Sequence, residues 1–133
     1  MNNGFLNAFV VESIPSSPSW HLVSDLKYKA KNGETYIVLA GQITDFFSIP
    51  GVFQSLLFRA RSYAECAALH DAAYRGTLWA VSEDGRRAVT LSRSDSDKLI
   101  VESMRSMGAP RTLYTAIYAG LRIGGWSCYK GRG

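Results

Sequence analysis

Cysteine is scarce in this chain: Cys66 and Cys128 are the only two among 133 residues. A small scaffold stapled by disulfides is thereby excluded, and a reduced intracellular fold is the expectation. Long apolar runs are also missing. The longest is Tyr36-Ile37-Val38-Leu39-Ala40, far short of the ~20 residues that a membrane helix needs. Met1-Asn2-Asn3-Gly4-Phe5 has no basic stretch ahead of an apolar one, so no cleaved signal peptide is expected. No repeat and no low-complexity segment is visible. Charge of one sign is nowhere concentrated. Lys plus Arg number 15 against 11 Asp plus Glu, a net +4, spread over Arg59, Arg61, Arg86, Arg87, Arg105, Arg111, Lys130 and Arg132. Zinc-finger spacing and RNA-recognition signatures are absent, so nucleic acid is not an expected partner. What remains is 47% hydrophobic and 20% charged, the composition of one folded domain.

The first third reads as β. Phe5 to Val11 is expected to be a strand, stopped at Pro15-Ser16-Ser17-Pro18. Trp20 to Ala30 and Glu34 to Ala40 flank Lys31-Asn32-Gly33, and Asn-Gly between β-rich runs predicts a hairpin with a type I′ turn. Leu26, Tyr28 and Ala30 alternate on one arm, and Tyr36, Val38 and Ala40 on the other. Gly41 to Gly51 reads as a loop and Val52 to Phe58 as a short helix. Tyr63 to Tyr74 is alanine-rich and helical, with Gly76 as its stop. Leu78–Val81 and Arg87–Leu91 around Glu83-Asp84-Gly85 predict a second hairpin. A further helix is expected from Ser94, which forms a capping-box pattern with Asp97; its apolar stripe is Leu99, Ile100, Met104 and Met107. A last helix follows Pro110, with Leu113, Ile117, Tyr118 and Leu121 as its stripe. This is an α+β chain: N-terminal antiparallel β-hairpins packed on a three-helix bundle. Residues 1–19 hold the first strand and the Pro/Ser turn, 20–125 the core, and 126–133 a short basic tail. Tyr114, Tyr118, Trp126 and Tyr129 are more aromatics than the last helix needs, and are candidates for an interface.

The polar chemistry concentrates in Leu69-His70-Asp71-Ala72-Ala73-Tyr74-Arg75. Helix neighbours point about 100° apart, so His70 and Asp71 face different surroundings. Tyr74 lies one turn beyond His70 on the same face. Polar groups buried in such a helix need partners. Asp97 is the expected one. A carboxylate on one nitrogen of His70 fixes its tautomer and leaves the other nitrogen as a base. Asp71 and Asp45, with loop carbonyls, offer oxygen ligands of the kind a hard cation such as calcium takes. Three readings stand side by side: a structural tie between helices, a catalytic His70 supported by Asp97 and Tyr74, and metal binding without turnover. His21 reads as a strand surface residue, Asp25 as solvated, and Cys66 as packing. Ser48 lacks a nucleophile elbow, which argues against a serine hydrolase.

Trp20-His21-Leu22 through Leu26-Lys27-Tyr28, then Gly41-x-x-Thr44-Asp45-Phe46-x-Ser48-Ile49-Pro50, then Ala67-Ala68-Leu69-His70-Asp71-x-x-Tyr74, then Arg93-x-x-x-Asp97 form an ordered set of blocks. Together they resemble a family of phage and prophage proteins that is known only as a domain of unknown function. The resemblance covers residues 20 to 125. Phe47 and Gly51 depart from it, where the family prefers Ala and Arg. It implies a virion or tail-associated component, in the virion or the host cytoplasm, with other phage structural proteins as partners or with a host factor as its target. The helix pair alone is similar to phospholipase A2, whose His-Asp-x-x-Tyr helix faces a second helix that supplies an Asp. That similarity implies His70 as base, Asp97 as its orienting carboxylate and Asp71 as a calcium ligand, acting on lipid or cell-wall esters. The glycine-rich calcium loop of that superfamily is absent, and Gly41 to Pro50 would have to take its place.

Overall fold

The computed structural model describes residues 3–16, 20–44 and 63–124. Their strands are β1 (Gly4–Phe5), β2 (Val11–Ser13), β3 (Trp20–Leu22), β4 (Leu26–Lys29), β5 (Thr35–Val38), β6 (Ile43–Thr44), β7 (Trp79–Ser82) and β8 (Gly85–Ala88). The helices are α1 (Ala64–Arg75), α2 (Arg93–Ser106) and α3 (Arg111–Gly124). The strands form two antiparallel sheets, one in the order β1-β4-β5-β7-β8 and a smaller one in the order β2-β3-β6. The α+β expectation holds, with antiparallel N-terminal strands and three helices. The expected Val52–Phe58 helix, the Asp45–Pro50 segment and the aromatics Trp126 and Tyr129 lie outside the described residues.

The run Phe5–Val11 is two strands rather than one. Asn7 accounts for the break. Its Oδ1 accepts from the Lys27 amide and its Nδ2 donates to the Asp25 carbonyl, so a side chain takes the place of the ladder. The arm Trp20–Ala30 is broken too. Leu22 bonds to Gln42 and Gly41 through the backbone, whereas Leu26 pairs with Val38 in the other sheet. At the switch, Asp25 Oδ1 accepts from the Ala40 amide at 2.7 Å, so Asp25 is a structural acceptor and not merely solvated.

The β4–β5 hairpin forms, but on a different turn. Ala30 N–H donates to Glu34 O, and Gly33 N–H to Ala30 O. Three residues therefore sit in the loop, and Gly33 alone takes positive φ, +93°. This is the three-residue loop with glycine in the left-handed position, where a type I′ turn would need positive φ at Asn32 as well. Asn32 instead uses its Oδ1 to accept from the Glu34 amide. The second hairpin is tighter: Ser82 pairs with Gly85, which leaves Glu83-Asp84 as a two-residue loop and makes Gly85 the first residue of β8.

Alternation predicts the core well. Leu26, Tyr28, Ala30, Tyr36 and Val38 are buried, while Ala40 is exposed. They pack with Ala68, Leu69 and Ala72 of α1, whose short alanines let the helix lie close to the sheet. A second cluster, with Ile100 and Met104 of α2 and Ile117 and Leu121 of α3, joins the helices. Met107, expected in that stripe, is exposed beyond the end of α2. The sheet and α2 meet at Tyr28. Its hydroxyl donates to Glu102 at 2.6 Å and accepts from Asn3 at 3.1 Å, and Glu102 also receives the Lys31 amide. Replacing Tyr28 by Phe keeps the ring and removes the donor. Chemical denaturation should show a loss of about 1–3 kcal/mol, the range for a bond to a charged acceptor; an unchanged midpoint would show that this bond contributes nothing.

Candidate functional site

The site is built on the face that α1 turns toward α2. Alanine spacing makes α1 helical, and Gly76 closes it in the left-handed conformation at φ 72°. His70 and Tyr74, one turn apart, share that face, with their rings 4.0 Å apart and tilted by 45°. Helix α2 runs the other way, so Cys66 meets Met107 while His70 and Tyr74 meet Asp97.

The start of α2 differs from the expected one by two residues. Ser92 is the N-cap, and its Oγ accepts from the Asp95 amide at 3.0 Å. The Ser94/Asp97 spacing is identical but is not used as a cap. Asp97 lies within the helix, has no solvent exposure, and is committed to tertiary partners. His70 Nε2 lies 3.0 Å from its Oδ1, and the Tyr74 hydroxyl donates to the same oxygen at 2.5 Å. From α3, Arg122 Nη1 donates to Oδ2 at 2.8 Å. Arg93 secures that end of α3 by donating from Nη2 to the carbonyls of Leu121 and Arg122, two of the acceptors a helix terminus leaves unpaired.

Burial of Asp97 pushes its carboxyl up, but the bonds from His70, Tyr74 and Arg122 outweigh that and hold it below the usual carboxylate range. Burial, then the bond to Asp97, pushes the Tyr74 phenol well above its ordinary value, so it remains a donor. With Asp97 ionised and accepting, Nε2 of His70 is the donor to it, and in the neutral imidazole that tautomer leaves the lone pair on Nδ1. The arrangement can therefore tie three helices together and can hold an imidazole in one tautomer.

Asp71 points elsewhere. Its Oδ1 lies 3.3 Å from Arg75 Nε, and Arg75 Nη1 donates to the Ile43 carbonyl at 3.2 Å. The end of β6 thus reaches the histidine helix on its Asp71 side; Asp45, two residues on from Ile43, is outside the described residues. Among the described residues, no group of three or more His, Cys, Asp or Glu side chains is gathered to hold a metal. His21, expected as a strand surface residue, faces Glu12 across the strands at 3.7 Å. Tyr114 and Tyr118, expected as interface candidates, are half-buried, and Tyr114 lies under the Arg105 guanidinium. Cys66 is packing: burial pushes its thiol up to about 12.

Arg122 went unread in the sequence, yet a signal for it existed. A buried carboxylate near the start of α2 demands a cation. If the helices are antiparallel, only the far end of α3 can supply one from that element, and Arg122 is the basic residue there. Because the Asp97 pKa is lowered on folding, its contribution is fully present above the unfolded carboxylate value, ~4. It is lost as the pH falls through the folded value. Replacing Asp97 by Ala should cost about 3–5 kcal/mol near neutrality, as for other broken buried pairs. Melting curves of the two proteins should converge as the pH drops below ~4; a gap independent of pH would show that the carboxylate is not the stabilising species.

The model of a family described as protein of unknown function (DUF1353) matches residues 20–121. No curated protein and no solved structure matches the chain. The matched span contains His70, Asp71, Tyr74 and Asp97 and stops one residue before Arg122. Since it takes in most of the sequence, from β3 nearly to the end of α3, the chain belongs to this family, DUF1353.

Proposed function

We propose that this chain is a phage-encoded hydrolase of lipid or cell-wall esters, with His70 as its general base. The observation that carries the reading is the bond from His70 Nε2 to the fully buried Asp97. That bond commits one ring nitrogen and leaves Nδ1 to take a proton from water. The resulting hydroxide attacks the ester carbonyl, and the imidazolium, stabilised by Asp97, returns the proton to the leaving alkoxide. Tyr74 and Arg122 hold the carboxylate in place and ionised, so that it orients His70 rather than taking the proton itself. The similarity of the helix pair to phospholipase A2 supports the same assignment of roles. Asp71 Oδ1 lies beside Arg75 and Asp45 is outside the described residues; no step here passes through a metal.

A second reading, a virion or tail-associated component, is favoured by the apolar surface near the small sheet. Val10 and Val23, joined by a backbone hydrogen bond, are both close to half exposed, as an assembly contact with another phage structural protein would require. One pair of measurements separates the readings. Wild type should hydrolyse a nitrophenyl ester or phospholipid vesicles, and His70→Gln should lower that rate by ~10²–10⁴ while the melting temperature changes little. Absence of turnover by wild type, or equal turnover by the variant, would overturn the hydrolytic reading and leave the assembly reading.

A further inference from the structure

The geometry points to Arg75 as the built-in cation at this place, a residue that seats the end of β6 on the histidine helix. A hard cation between α1 and the end of β6 would be held by a carboxylate and by backbone carbonyls. The structure provides one of each at this place, the Asp71 carboxylate and the Ile43 carbonyl, and a guanidinium lies between them. Arg75 Nε is 3.3 Å from Asp71 Oδ1, and Nη1 donates to Ile43 O at 3.2 Å. Two arms of one planar fork thus reach two acceptors on different elements, a task for which guanidinium is shaped and ammonium is not.

Sequence position makes this economical. Arg75 is in the last turn of α1, four residues after Asp71, so the helix itself brings acid and base together with the acid on the N-terminal side, the favourable orientation. An isolated pair of this kind would be worth little. The second arm changes its role, because Ile43 belongs to the small sheet. Its neighbour Gln42 accepts the Leu22 amide at 3.0 Å, so the Arg75 contact pins a strand that, among the described residues, is otherwise paired by a short ladder to β3. This inference goes beyond the hydrolytic reading and holds whether or not the site turns over an ester.

Hydrogen exchange and calcium titration test it together on the full chain. Arg75→Gln should speed exchange of the Leu22 amide roughly tenfold by freeing the end of β6, with the Ala30 amide of the β4–β5 hairpin unchanged as the control. Arg75→Lys should resemble Arg75→Gln, since one ammonium does not span both acceptors in the same way. Millimolar calcium chloride should leave the wild-type melting temperature in place. Unchanged exchange at Leu22 would reduce Arg75 to a surface ion pair, and full protection in Arg75→Lys would show that charge alone suffices; either overturns the proposal. So would a calcium-dependent rise in melting temperature that Asp71→Asn abolishes.

Discussion

The Asp97 carboxylate carries a full charge at a point with no access to water, and the arrangement of the three helices follows from how that charge is met. Two donors come from α1, His70 and Tyr74, and one from α3, Arg122. Removing a carboxylate from water is expensive, and only close donors with good geometry offset it. Moving α1 or α3 away from α2 would break at least one of these bonds and leave a buried charge short of a partner. The hydrophobic contacts of Ile100, Met104, Ile117 and Leu121 are tolerant of small slides, whereas the polar contacts are directional. The apolar cluster holds the helices together, and Asp97 sets their register.

A structural tie and a catalytic orientation need the same bond, which is why one geometry accommodates both. A carboxylate that locks an imidazole tautomer also locks two helices. What separates the roles is the other ring nitrogen, whose chemistry depends on a substrate reaching it. The polar residues of α1 divide accordingly: His70 and Tyr74 face the helices, while Arg75, paired with Asp71, reaches the small sheet.

Much of the fold was legible because its signals are local. Alternation in Leu26-x-Tyr28 and Tyr36-x-Val38 marked the hairpin, and the alanine run with Gly76 marked α1. Local signals misled where two local solutions were equivalent. Ser92/Asp95 and Ser94/Asp97 have the same spacing, and the choice between them was made by the burial of Asp97, a tertiary event. The break at Asn7 depended on the Asp25 and Lys27 backbone some twenty residues away. At the site, the pairing of His70 with Asp97 was readable from the need of a buried histidine for a partner. Arg122 was readable only through the cation that a buried Asp97 demands, and Ile43 not at all, since a strand carbonyl looks ordinary until the chain brings it to Arg75.

The burial of Cys66 has a chemical consequence. The thiolate, not the thiol, reacts with oxidants and electrophiles. With its thiol pushed up to about 12, Cys66 stays protonated near pH 7, and its sulfur is enclosed beside Met107. Peroxide and alkylating reagents therefore reach this sulfur mainly when α1 and α2 part. The rate at which Cys66 is labelled is a covalent clock for the opening of the same helix pair that holds His70 against Asp97.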